Sequence, residues 1–164
     1  MPLASLSLVG IFWMIVSVML ALILTLLPLP IWADWWRPEW VPLVVIYWSL
    51  VLPHRFSVGF AWIIGLLLDA VGGTLLGEQA LALAVVAYIT VKLHRRIRVF
   101  PLWQQSVTVF GLIAIFESII FLIQGLIGQL PELVHYWLPS VSSMLLWPWV
   151  LFALRNGRRR FQII

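Results

Sequence analysis

The chain has 164 residues, of which 63% are apolar and only 10% carry a charge. A soluble domain averages about 45–50% apolar and about 25% charged residues. A chain this short has too little interior to shield so many apolar side chains from water, so the composition excludes a soluble globular protein and predicts an integral membrane protein. The absence of cysteine also excludes a disulfide framework, a thiolate metal site and a cysteine nucleophile.

The formal net charge of +4 has two interpretations. A basic protein can bind nucleic acid, but here the basic residues lie in short clusters between apolar runs rather than along one aromatic-rich face. Clusters of this kind are typical of the loops that orient a membrane protein. We therefore expect no nucleic-acid partner, and contact with membrane lipid instead.

The apolar runs predict an all-α integral membrane protein, a six-transmembrane-helix bundle that forms one transmembrane domain over residues 1–164. A helix needs about 20 apolar residues to cross a bilayer, so a chain of this length holds about six spans. The predicted spans lie at about residues 6–27, 40–52, 56–76, 79–91, 103–128 and 139–154.

The first two spans each leave an alternative open. Residues 6–27 contain no charge, so a signal peptide is a competing interpretation, but the lack of Lys and Arg in residues 1–10 argues against it. Residues 40–52 rise only about 20 Å, less than the roughly 30 Å hydrocarbon core. This second segment either gains length from tryptophans in the interface or is partly re-entrant and covered by neighbouring helices.

Basic residues also predict the orientation. Nine of the ten Lys and Arg residues fall in alternate loops on one side, and Arg37 alone falls on the other. The positive-inside rule therefore places both termini in the cytoplasm. Tryptophans at the span ends are expected to anchor the helices, Trp147 and Trp149 among them at the inner interface. The candidates for contact with a cytoplasmic partner are His54, Arg55, Arg95, Arg96 and Arg98.

Two carboxylates, Asp69 and Glu117, are the only charges well inside the predicted spans. Such charges are costly unless they are partnered, neutralised or hydrated, so these two residues are the default functional candidates. Both lie about 20 Å from the cytoplasmic start of their spans and therefore at similar depth. Small or polar residues share a helical face with each acid: Gly65, Gly72 and Gly73 with Asp69, and Gln124 with Glu117.

These faces suggest an outward-opening crevice between the third and fifth spans, with both carboxyl groups directed into it. There the two acids could share a proton, bind a cation or accept a basic side chain from a partner. In the simpler alternative, each carboxyl group is protonated or hydrogen-bonded inside the bundle and the glycines only permit close packing.

Motifs of catalysis are absent from the sequence. It contains no phosphate-binding loop, nucleophile elbow or zinc-protease motif, and no histidine pair with metal-ligand spacing. We therefore expect no enzyme activity, no catalytic residues, no cofactor and no metal site.

Several short motifs, in order and spacing, resemble the MreD family of bacterial rod shape-determining membrane proteins, most closely its proteobacterial form. They are RPEW at 37–40, LPHR at 52–55, GLLLD at 65–69, GTLLG at 73–77, WQQ at 103–105 and LWPW at 146–149. The resemblance covers nearly the whole chain from about Pro30 onward, and Asp69 lies on a matching segment.

The resemblance implies a non-enzymatic scaffold of the cell-elongation machinery in the bacterial inner membrane. Its partners would be MreC, a bitopic protein with a periplasmic domain, and, directly or through it, the actin-like MreB, RodA and a class B penicillin-binding protein. The implied fold is similar to the substrate-binding S components of energy-coupling-factor transporters. A small-molecule or lipid-binding transporter subunit is therefore the alternative function, and it would require separate ATPase subunits.

Overall fold

The computed structural model describes residues 8–28, 30–34, 36–51, 58–73, 76–128 and 137–160. Over these residues the chain forms seven helices and no strand. They are α1 (Leu8–Leu26), α2 (Ile31–Asp34), α3 (Trp40–Val51), α4 (Val58–Gly72), α5 (Glu78–Val99), α6 (Leu102–Leu126) and α7 (Leu138–Arg160). Two stretches, Leu102–Leu126 and Leu138–Asn156, are long and apolar enough to cross a membrane. The all-helical architecture agrees with the predicted membrane class.

Each predicted span contains one helix, but two helices run further than the apolar segments. Helix α5 continues through the basic run to Val99, and α7 continues through Arg155 to Arg160. Lys and Arg are good helix formers and suit the negative end of the helix dipole, so a charged run need not end a helix. Helix α5 stops at Phe100 because Pro101 follows it and begins α6 as its N-cap.

The short helix α3 is the centre of the bundle. Its residues Val41–Leu50 are all buried, and the helix packs against α1, α5, α6 and α7. A helix that is apolar on every side is stable only when neighbours cover every side. Of the two alternatives left open for this short segment, the structure agrees with coverage by neighbouring helices.

Two tryptophans lie in the core. Trp48 of α3 is completely buried, and its indole Nε1 donates a hydrogen bond to Oγ of Ser17 in α1 at 2.9 Å. Trp147 is also completely buried, so its expected role as an anchor at the inner interface is wrong. Trp149, two residues further along α7, is 72% exposed and remains a candidate anchor.

Two arginine side chains cap the C-termini of helices. Arg37 donates hydrogen bonds to the backbone carbonyls of Thr25 and Leu27 at the end of α1. Arg98 donates from Nε to the carbonyl of Leu50 at 2.7 Å and from Nη2 to that of Val51 at 2.8 Å, at the end of α3. The last carbonyls of a helix have no partner inside the helix, so these guanidinium groups satisfy acceptors that the helices cannot.

Candidate functional site

Asp69 binds the start of the next helix. Its Oδ2 accepts hydrogen bonds from the backbone N–H groups of Gly77 at 2.9 Å and Ala80 at 3.3 Å, and its Oδ1 accepts one from Gln79 at 3.1 Å. The N-cap position of α5 is Gly77, which has no side chain to do this. Asp69 therefore supplies from α4 the acceptor and the negative charge that the N-terminus of α5 requires.

Gly65, one turn earlier on the same face of α4, lets the two helices meet. A Cβ atom on Gly65 would lie 2.3 Å from Cα and 2.7 Å from the backbone N of Ala80, which no real side chain tolerates. Gly72 and Gly73 are different, because a Cβ atom at either position would meet nothing within 4 Å. Gly73 has a φ of +70° and begins the turn after α4. Only Gly65 of these three therefore serves close packing within the described chain.

Glu117 has another acid as its neighbour. This residue of α6 is 4% exposed, and its carboxyl group interacts with that of Glu39, which directly precedes α3. The backbone N–H of Glu39 donates to Oγ of Ser143 in α7 at 3.0 Å. The Glu39–Glu117 pair thus lies where the start of α3 meets α6 and α7.

Two neighbouring carboxyl groups away from bulk water repel each other when both are ionised, so their proximity opposes ionisation of the pair. Burial raises the pKa of Glu39 above its ordinary value, although its interaction with Glu117 and the positive charge of Arg37 both act to lower it. Glu39 was not among the residues predicted from the sequence, because it lies outside the apolar segments. Its position one residue before a buried helix was the available signal.

Asp69 and Glu117 therefore have different partners. Asp69 serves the start of α5, whereas Glu117 serves the start of α3, and α4 packs mainly against α5. Gln124, expected beside Glu117 on α6, is half-buried two turns further along. A crevice in which both acids face one ligand stays a prediction, and the contacts described here agree with its simpler alternative.

The expected cytoplasmic contacts divide into three groups. Arg95 and Arg96 are exposed on α5. Arg98 instead holds the end of α3, as described above. His54 and Arg55 lie outside the described residues.

A cavity of about 310 Å³ lies beside Arg98 at the basic end of the bundle, the end where the charged run of α5 is found. Arg155 of α7 and Gln105 of α6 also line it. Gln105 is held in place by a hydrogen bond from its Nε2 to the carbonyl of Ile97 at 3.1 Å. The cavity was not predicted from the sequence, because it forms only when α3 and α7 pack against the junction of α5 and α6.

Within the described part of the chain, no group of three or more His, Asp or Glu side chains could hold a metal ion. Of the buried carboxylates there, Asp69 accepts from backbone N–H groups and Glu117 interacts with Glu39. This arrangement can stabilise helix packing.

Comparison with known proteins identifies the family. The family model for the rod shape-determining protein MreD matches residues 7–156. The rod shape-determining protein MreD of Haemophilus influenzae is 34% identical over 147 residues, which cover 88% of this chain and 89% of that protein. No solved structure matches the chain. A family match over most of the chain, together with this level of identity, shows that the chain belongs to the MreD family of rod shape-determining membrane proteins, which act in cell shape.

Proposed function

We propose that this protein is a non-enzymatic membrane scaffold of the cell-elongation machinery. In this role it binds MreC and helps to couple the MreB cytoskeleton, RodA and a class B penicillin-binding protein to side-wall peptidoglycan synthesis. Membership of the MreD family supports a role in cell shape. The finer assignment rests on a surface of α4 that suits a partner helix.

Helix α4 carries a stripe of large apolar side chains on its exposed side. Phe60, Ile63, Leu67 and Val71 are each between 50% and 53% exposed. Their spacing of three or four residues places them on one helical face. The opposite face, which contains Gly65 and Asp69, is occupied by α5. We call the four exposed residues the α4 stripe.

We propose that the transmembrane helix of MreC packs against the α4 stripe. Helices associate in a bilayer through close van der Waals packing, and a long uninterrupted apolar face offers that contact. Gly65 and Asp69 were predicted to contact a partner, but both contact α5 instead. We therefore place the partner on the opposite face of α4.

We also propose that the chain crosses the bacterial inner membrane six times with both termini in the cytoplasm. The basic end of α5 then faces the cytoplasm, where the exposed Arg95 and Arg96 could contact the filament. The cysteine-free sequence allows a direct test. In spheroplasts, a membrane-impermeant maleimide should label Trp36→Cys but not Arg96→Cys, which should react only in inverted vesicles. Labelling of both variants from the same side would contradict this topology.

The functional proposal is tested by purifying the tagged protein from its own bacterium in a gentle detergent. Mass spectrometry of the co-purifying molecules should find MreC together with other components of side-wall synthesis. Recovery of ATPase subunits or a stoichiometric small ligand without MreC would instead identify a transporter subunit and refute the scaffold.

A further inference from the structure

The cavity at the basic end has a lining suited to an anion. It lies between α3, α5, α6 and α7, and its polar wall is made by Tyr47, Arg98, Gln105 and Arg155. Among the described residues that line it, two are arginines and none is acidic. Two positive charges in such a wall favour a negatively charged occupant.

The two arginines differ in how they are held. Arg98 is fixed, because its Nε and Nη2 donate to the carbonyls of Leu50 and Val51. A guanidinium group has five N–H donors, so donors of Arg98 remain for a further acceptor. Arg155 lies on the last turns of α7 and is exposed. One arginine is thus pre-positioned by the protein, and the other can close onto a ligand.

We propose that this cavity binds a phosphate group, supplied by the headgroup of an anionic phospholipid. The planar guanidinium fork matches phosphate oxygens, and such hydrogen bonds between charged groups are among the strongest in proteins. A volume of about 310 Å³ is at the small end for ligand pockets and suits a compact headgroup. Apolar walls from Leu50 and Leu151 suit the first methylene groups of the lipid's acyl chains.

The surroundings favour the lipid as the source of the phosphate. Lys92 and Arg96 are exposed on the same basic stretch of α5 and attract anionic lipid to this end of the bundle. Phe152 follows the cavity-lining residue Leu151 on α7 and is 64% exposed. Its side chain offers an apolar surface to an acyl chain. A bound phosphate would then join the ends of α5 and α7.

The test uses Arg155→Gln, because Arg98 also holds α3. Arg95→Gln is the matched control, since it removes the same charge from an exposed position that does not line the cavity. The purified full chain in neutral detergent is titrated with dioleoyl phosphatidylglycerol or dioleoyl phosphatidylcholine, and native mass spectrometry counts the bound lipid. Inorganic phosphate is titrated separately and followed by thermal unfolding.

The wild-type protein should prefer phosphatidylglycerol to phosphatidylcholine. Arg155→Gln should weaken phosphatidylglycerol binding by about fivefold or more, and Arg95→Gln by less than about twofold. Arg155→Lys, which keeps the charge but loses the fork, should lie between them. Stabilisation by millimolar phosphate that Arg155→Gln removes, without selective lipid binding, would support the phosphate site and identify a soluble source. Equal weakening by Arg155→Gln and Arg95→Gln, or no response to either ligand, would overturn the proposal.

Discussion

Gly65 of α4 and Ala80 of α5 are in backbone contact: a Cβ atom added to Gly65 would lie 2.3 Å from Cα of Ala80. One turn further along α4, Oδ2 of Asp69 accepts a hydrogen bond from the N–H of the same Ala80. The glycine and the acid therefore work together. The missing side chain lets the helices approach, and the carboxylate satisfies the N-terminus that this approach brings to it.

The Gly65 contact predicts opposite effects for two similar substitutions. Gly65→Ala should destabilise the fold by about 1–3 kcal/mol, because the methyl group meets backbone atoms that cannot move aside. Gly72→Ala, in the same helix but with open space around it, should stabilise the fold by about 0.5–1 kcal/mol, because it restricts the unfolded chain. Reversible unfolding in mixed micelles measures both. Equal effects of the two substitutions would contradict the close contact.

The cap on α5 predicts that Asp69→Asn lowers the free energy of unfolding by about 1–2 kcal/mol. The amide keeps one oxygen acceptor but loses the charge and the second oxygen, while three backbone N–H groups still need partners. The matched control is Gln124→Ala on α6, at a half-buried position, which should change stability by no more than about 0.5 kcal/mol. If Asp69→Asn has the same free energy of unfolding as the wild type, the carboxylate does not stabilise the N-terminus of α5.

Asp69 and Glu117 show which features of the candidate site could be predicted from the sequence. Helical periodicity correctly placed Gly65 and Asp69 on one face, because the geometry of a single helix is local. Similar depth along two helices does not determine which way each helix faces in the bundle. Glu117 therefore pairs with Glu39, a residue that follows a proline outside the apolar runs.

Helix α3 also shows what the sequence could and could not predict. Its apolar composition correctly predicted a buried helix. Its length alone could not decide whether tryptophans in the interface extend the segment or neighbouring helices cover it. Its central position depends on packing against four other helices, which are distant in sequence. The arginine that closes its C-terminus, Arg98, lies nearly fifty positions away and was expected to face a partner.

The Glu39–Glu117 pair predicts a pH-dependent stability. Because the pKa of Glu39 is raised in the folded protein, the folded state binds more protons than the unfolded state above pH about 4.3. This contribution is fully present below the ordinary glutamate pKa and is lost as the pH rises through the raised value. Glu117 and the positive charge of Arg37 both act to lower the pKa of Glu39 and so oppose the effect of burial.

Glu39→Gln should therefore flatten the decline in stability as the pH rises from about 4.5, because the neutral amide no longer titrates. Thermal unfolding followed by circular dichroism across this range compares the variant with the wild type. A decline of the same steepness in both proteins would show that Glu39 does not titrate with folding.

Site-specific photocrosslinking along α4 tests the proposed scaffold most directly. The photoreactive residue p-benzoylphenylalanine is placed in living cells at Phe60, Ile63, Leu67 or Val71, and at the more exposed Leu122 of α6 as a control. We expect crosslinks to MreC from the α4 stripe and none from Leu122, which is 66% exposed. Crosslinks to MreC from Leu122 but not from the stripe, or none from any position in cells that contain MreC, would contradict it.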